Sequence, residues 1–302
     1  MALIGVGMVF TDNRFYRANV RLTDLVSRFH DYMDEALQGL DHCDLRIFMA
    51  PEFYFAKTTA NTFFSEQEKQ AIIDGIEERL TNERILVIAG TVLWSQYRFC
   101  QSNLVYNTAL AFYRGQLVYQ HNKTLWGGET RDGDLIARNS APLQQKVVVG
   151  EKRFLGIGPK LSSKYKYLIG GTPGFFTLPN ELTDEPAQLR IGLEVCMEHD
   201  HGVLRQSGEE DVWLHLVTAN TVTYKQGNQH INETGVFLRC AAGEDGSGGH
   251  TIGRYLSGFK DVTQHALDAR LRPGAFNGHL QPSVNGNRPV KIARFTLNAS
   301  PS

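Results

Sequence analysis

The stretch RIGLEVCMEHDHG, Arg190 to Gly202, runs an apolar, strand-like segment into a cysteine, Cys196, and then past Met197 into Glu198, His199, Asp200 and His201. A thiol that ends such a segment can be a small buried hydrophobe, a metal ligand beside those four polar residues, or a nucleophile held where strand gives way to loop. The three readings demand different surroundings. What the remaining chain places beside Cys196 decides between them.

The 302-residue chain carries 31 basic and 32 acidic side chains and 42% hydrophobic residues, without an extended run of one sign. That balance speaks against a disordered chain, an acidic tail and a polybasic nucleic-acid grip. A chain of this size buries about three quarters of the surface it exposes when unfolded, so a substantial core is available. The opening MALIGVGMVFTDNRF lacks a basic start and a small-residue cleavage pattern and turns polar at Thr11, so it reads as a first strand rather than a signal peptide. No segment approaches the roughly eighteen uninterrupted apolar residues of a membrane span. A cytoplasmic protein with neither a membrane nor a nucleic-acid partner is expected. Cys43, Cys100, Cys196 and Cys240 lie far apart with no C-x-x-C pair, which favours free thiols over a disulfide framework or a zinc ribbon.

Upstream of the quoted stretch, Leu22, Leu25, Val26, Phe29, Met33 and Leu37 recur at intervals of three and four, the stripe of an amphipathic helix within Arg17–Leu40. A second helix is marked by SEQEKQAIIDGIEERL, where Ser65 and Glu68 stand in capping-box spacing ahead of Ile72, Ile73 and Ile76. RIFMAPEF, ILVIAGTVLW, VYNTALAFYRG and QLVYQHNKT are β-rich runs. The first half therefore reads β-α-β-α-β-β-β. From Asn139 to Phe176 the rhythm fades, and six basic residues stand against one acid, Glu151, as in a surface excursion. Beyond it come the strand QLRIGLEVC, a short helix around HGVLRQ, the strand DVWLHLVTAN, a helix through NETGVFLRCAA and a closing strand KIARFTL. With no internal repeat and no linker, the expectation is one α/β domain over residues 1–302 with an inserted loop-rich segment at about 139–176.

Familiar phosphate, dinucleotide, serine-hydrolase and zincin motifs are absent from the sequence. Instead, three competent residues each end a predicted strand: Glu52 in FMAPEFYF, Lys123 in VYQHNKTLWGGE and Cys196 in IGLEVCMEHD. Strand ends are where open α/β sheets gather their sites. Taken singly, each has an ordinary structural explanation, as a surface carboxylate, a turn lysine and a small buried hydrophobe. Taken together and in this order, they resemble the glutamate, lysine and cysteine of the carbon–nitrogen hydrolase (nitrilase) superfamily. The resemblance runs from the first strand to about Arg239, through FMAPEF, VIAGT, VYNTALAFYRGQLVYQHNK, LRIGLEVCMEHD and WLHLVTAN.

The resemblance implies a four-layer α-β-β-α sandwich of the nitrilase type, no cofactor, and homodimers or larger homo-oligomers. It implies a thiol hydrolase that cleaves a non-peptide carbon–nitrogen bond of a small molecule, an amide ahead of a nitrile or an N-carbamoyl compound. Cys196 is then the nucleophile, Glu52 the general base and acid, and Lys123 with the backbone amide of Met197 the stabiliser of the tetrahedral adduct. Glu129 in WGGETRDGD is the nearest match to a second glutamate that positions substrate, and Tyr54 is a candidate for lining the pocket. The electrostatics agree: a free thiol is mostly protonated at neutral pH, a nearby ammonium favours the thiolate and a carboxylate can take the proton.

The chain also departs from the family pattern. The stretch between Lys123 and Cys196 is long, and LRCAAGED replaces the familiar arginine-alanine-glutamate-asparagine wording. Two alternatives use the same scaffold: acyl transfer to an amine from the same thioester, and a non-enzymatic binding protein. A metal held by Glu198, His199, Asp200 and His201 is disfavoured, because consecutive residues after a strand point in different directions while a metal needs convergent ligands.

Overall fold

The structure, a computed structural model, describes residues 2–11, 21–57, 62–80, 84–125, 143–149, 165–182, 188–220, 225–242, 251–255, 259–261, 279–282 and 289–299. In chain order the elements begin β1 (Ala2–Thr11), α1 (Leu22–Leu37), β2 (Leu45–Met49), β3 (Phe64–Ser65), α2 (Glu66–Arg79), β4 (Ile85–Gln96), β5 (Asn103–Tyr113) and β6 (Gln116–Asn122). They continue with β7 (Leu143–Val149), β8 (Tyr165–Gly171), β9 (Phe175–Pro179), β10 (Gln188–Val195), α3 (Met197–His201), α4 (Val203–Gln206) and β11 (Val212–Ala219). The last are β12 (Ile231–Ala241), β13 (Thr251–Tyr255), β14 (Phe259–Asp261), β15 (His279–Pro282) and β16 (Pro289–Ala299).

Two sheets result. The first runs β15-β16-β1-β2-β4-β5-β8-β7, with β3 beside β4 and β6 beside β5, and the second runs β14-β13-β12-β11-β10-β9. The centre of each is parallel: β1 with β2 and β2 with β4 in one, β10 with β11 and β11 with β12 in the other. Strand alternation sorts the first sheet's side chains into two cores. Leu45, Ile47 and Met49 of β2, with Leu86 and Ile88 of β4, join Ile191, Leu193, Leu214, Leu216 and Leu238 of the second sheet in one buried cluster. Phe48, Ala50, Val87 and Ala89 face the other way, against Phe29, Met33, Ile72, Ile73 and Ile76 of α1 and α2. Both faces are thus covered, which is why these strands read as continuous apolar runs. On the outer face of the second sheet, α4 settles Leu204 so close to Gly192 that a Cβ there would lie 2.6 Å from Leu204 Cδ1. The expected α-β-β-α sandwich is present, with a thin fourth layer among the described residues.

The capping box predicted for α2 is formed: Glu68 N–H donates to Ser65 Oγ at 3.1 Å and Ser65 N–H to Glu68 Oε2 at 2.7 Å. Two expectations need correction. NETGVFLRCAA is strand β12, not helix. Val236, Phe237, Leu238 and Cys240 are all buried, so this strand is apolar on both faces and its pattern lacks the period of two that would separate it from a buried helix. Within the segment expected to be loop-rich, β7 and β8 pair antiparallel, and β8 extends the first sheet alongside Asn103–Val105 of β5. No described helix is long and apolar enough to cross a membrane.

One local device positions the site. Gly90 has φ +72°, a conformation that L side chains resist, and a Cβ there would come 2.2 Å from the carbonyl oxygen of Pro51. It lies where β4 slips register against β5, between Ile88 and Thr91. The glutamate turn Pro51–Phe55 lies in the space so made, held by Phe53 N–H to Thr91 Oγ1 at 2.8 Å and Phe55 N–H to Thr91 O at 3.1 Å.

Candidate active site

Glu52, Lys123 and Cys196 come from three separate connections and meet at the ends of β2, β6 and β10. Glu52 is wholly buried. Its N–H donates to Ala219 O at 3.2 Å, at the end of β11, which fastens the glutamate turn to the second sheet. Oε1 accepts from Lys123 Nζ at 2.6 Å and from Asn107 Nδ2 at 2.8 Å. Asn107 also accepts the Lys123 N–H on its backbone oxygen at 2.8 Å. A single residue of β5 thus holds both the Glu52 carboxylate and the Lys123 backbone. Glu52 Oε2 is buried as well, and the carboxylate also interacts with the Cys196 thiol.

Cys196 stands at φ 53°, ψ −104°, between the last residue of β10 and the first of α3. A non-glycine residue there costs about 1–3 kcal/mol and persists only where the surroundings over-determine it. Its N–H is tied to Thr218 O at 2.9 Å. Phe53, beside Glu52, is likewise left-handed at φ 62°, so two of the three site residues sit on or next to strained backbone. The Cys196 thiol is pushed up to about 12, by burial first and then by the Glu52 carboxylate, against the opposing pull of Lys123 and the Asn220 N–H. The expected stabilisation of the thiolate by Lys123 exists but does not dominate.

Tyr54 does not line this site. The left-handed Phe53 breaks the strand alternation that would put positions 52 and 54 on one side. Tyr54 turns into the helix-side core instead, edge-on to Phe29 with ring centroids 5.5 Å apart. Met197 opens α3, where the first N–H groups of a helix have no partner within it, so its amide stands next to the thiol. Glu129 lies outside the described residues.

The four polar residues after Met197 diverge. Glu198 is buried and faces His121 and Thr124. His199 is buried against Glu194, and Asp200 pairs with Lys225 at 2.6 Å. A different trio converges: Glu194, His199 and His215 offer ligand atoms within 4.8 Å of one another. Its hydrogen bonds describe a proton network instead of a metal centre. Lys225 N–H donates to His199 Nε2 at 3.4 Å and His230 N–H to His215 Nδ1 at 3.2 Å. Each imidazole therefore carries its proton on the opposite nitrogen, aimed at Glu194 Oε2 at 3.0 and 2.9 Å. A cation in place of those protons would force each outer nitrogen to become a donor facing a backbone donor.

Asn107, Asn220 and Glu194 were not marked out by the sequence motifs, and Glu198 was weighed only as a metal ligand. A signal existed for two of them: Asn107 and Glu194 interrupt otherwise apolar runs, and a polar side chain in a strand covered on both faces must have a specific partner.

No protein-family model and no curated protein sequence matches the chain. Similarity appears among solved structures. Nit3 of Saccharomyces cerevisiae, a member of branch 10 of the nitrilase superfamily, matches with a TM-score of 0.51 over 97% of this chain and 90% of its own, at 10% identity. A glutamate-to-glutamine mutant of the amidase from Nesterenkonia sp. AN1, carrying the product of Michael addition of acrylamide at its active-site cysteine, matches with a TM-score of 0.50 over 97% and 92%, at 11% identity. At such identity the likeness is one of fold, and it agrees with the paired sheets and outer helices described above: the chain has the fold of the nitrilase superfamily.

Proposed function

We propose that the protein is a thiol hydrolase that cleaves a non-peptide carbon–nitrogen bond of a small molecule, with Cys196 as nucleophile, Glu52 as general base and acid, and Lys123 as the electrostatic stabiliser. The observation that carries the reading is the buried meeting of the Glu52 carboxylate, the Lys123 ammonium 2.6 Å from it and the Cys196 thiol, delivered by three different strand ends. Such a thiol is inert until a base takes its proton. Glu52 is the base within reach: it removes the proton as sulfur attacks the substrate carbonyl carbon. The resulting oxyanion is met by Lys123 and the Met197 N–H. Glu52 returns the proton to the nitrogen, the C–N bond breaks, and ammonia or an amine leaves behind a thioester. Glu52 then takes a proton from water, hydroxide attacks the thioester, and the sulfur recovers its proton as the acid departs.

An amide or N-carbamoyl substrate fits better than a nitrile. Asn220 Oδ1 is a buried acceptor with no donor among the described residues. A nitrile has no N–H to offer it, whereas an amide nitrogen does. The test is an ammonia-release assay across primary amides, N-carbamoyl compounds and nitriles, with mass spectrometry to trap the acyl-enzyme. Release from the first two classes and an adduct on Cys196 are expected. Full activity in Cys196→Ala would overturn the assignment.

A further inference from the structure

We propose that Glu198 is a positioning residue for catalysis: its carboxylate locks the segment that carries Lys123 to the elbow that carries Cys196, and so sets how closely the ammonium approaches the sulfur. The proposal rests on the reading of Lys123 and Cys196 given above. Glu198 is buried to 1% exposure, and both of its oxygens are engaged. Oε1 accepts from the N–H of Thr124 at 2.6 Å and from its hydroxyl at 2.7 Å. Oε2 accepts from Val195 N–H at 2.6 Å. His121 Nε2 lies between them, 3.0 and 2.9 Å from the two oxygens.

The chain positions of these donors give the arrangement its meaning. Thr124 immediately follows Lys123 and His121 precedes it by two residues, while Val195 immediately precedes Cys196. One carboxylate thereby grips the flanks of two site residues that follow strands of different sheets, β6 in the first and β10 in the second. Charge-assisted bonds of this kind are short and directional. A glutamine in its place keeps the shape and loses the function of the clamp. Either orientation of its amide turns an NH₂ toward a backbone N–H that now donates, that of Thr124 or that of Val195. The two segments must then separate.

Lys123 is the charge that draws the Cys196 thiol toward ionisation. If the clamp opens, that pull weakens and the thiol becomes harder to ionise. Alkylation reads this without any substrate, because its rate at fixed pH follows the thiolate fraction. The experiment treats the full-length protein with iodoacetamide over a range of pH and follows the Cys196 peptide by mass spectrometry, which separates it from the exposed Cys100. Glu198→Gln is expected to slow Cys196 alkylation by about tenfold at a given pH, the effect of one unit of thiol pKa. Thr124→Val, which deletes one donor and no charge, is expected to slow it by about threefold, half a unit on the same scale. A Cys196 rate-against-pH profile that superimposes on the wild type in both variants overturns the proposal, even if their melting temperatures fall. Should Glu198→Gln fail to fold, an unchanged profile in Thr124→Val overturns it alone. Failure of the wild type to release ammonia from any amide would instead count against the hydrolase reading, and the alkylation result would still decide the role of Glu198.

Discussion

Two carboxylates stand two residues to either side of Cys196, and both are buried to 1% exposure. Burial alone would raise both, but imidazole neighbours, joined for Glu198 by Thr124, outweigh it and hold each below the ordinary carboxylate range. Their partners differ in kind. Glu194 gathers groups that all belong to the second sheet and its outer layer: His199 of α3, His215 of β11 and the Leu204 N–H of α4 at 2.9 Å. Glu198 reaches out of that sheet to the lysine segment of the other. The lesson is that equal burial and similar electrostatics do not imply equal roles. Glu194 shapes the strained elbow, whereas Glu198 aims it.

The sharpest contrast lies in turnover. Lys123→Ala is expected to slow hydrolysis by at least about a hundredfold, the scale of a lost oxyanion group, and to slow alkylation of Cys196 as well. Glu198→Gln should follow Lys123→Ala in both readouts, to a smaller degree. If Glu194→Gln, once folded, depresses both as strongly as Glu198→Gln does, the distinction between the two carboxylates disappears.

Stability should divide them the other way. Glu194→Ala strands two imidazole N–H groups and a backbone N–H in a buried space, and breaking such a cluster costs about 3–5 kcal/mol. A urea titration would show it as a fall in midpoint. An unchanged midpoint would mean that the Glu194 network is dispensable to the fold.

Acid should weaken the protein in two stages. Burial lowers the His215 imidazole despite the neighbouring Glu194, so the unfolded chain takes up that proton first. The contribution of His215 is therefore complete above its ordinary value of 6.5 and declines as pH falls below it. Glu194 and Glu198 titrate below their ordinary 4.5, so their contributions hold above that value and are lost as acid protonates the native carboxylates. Urea midpoints measured against pH should show both declines. A flat profile between about pH 7 and 5 would remove His215 from the account.

The smallest expected effect runs against intuition. Glu52→Gln removes the charge that raises the Cys196 thiol, so alkylation should speed up by about threefold, half a unit of thiol pKa, even as hydrolysis is lost. Slower alkylation in that variant would show that Glu52 assists ionisation in the resting protein.

Local signals in the sequence were legible because they depend on few neighbours. The Ser65–Glu68 capping box, the stripe of α1 and the strand ends carrying Glu52, Lys123 and Cys196 all appear where the sequence places them. The errors came from context supplied by distant chain. NETGVFLRCAA is a strand because two neighbouring strands pair with it. Tyr54 points away because Phe53 is left-handed, which no residue pattern announces. At Cys196 the sequence could place an ammonium nearby but could not weigh its pull against burial, which acts the other way. Asn107 became meaningful only when folding set its amide against a glutamate 55 positions away.

Gly90 carries an implication for mutational tolerance. It donates nothing to the chemistry and touches no substrate, yet any side chain there would strike the backbone that presents Glu52. In a saturation scan scored by activity, position 90 should be as unforgiving as the nucleophile itself, although its variants would fail by displacing a turn rather than by losing a reactive atom. A screen that equates intolerance with catalysis would place this glycine in the wrong class.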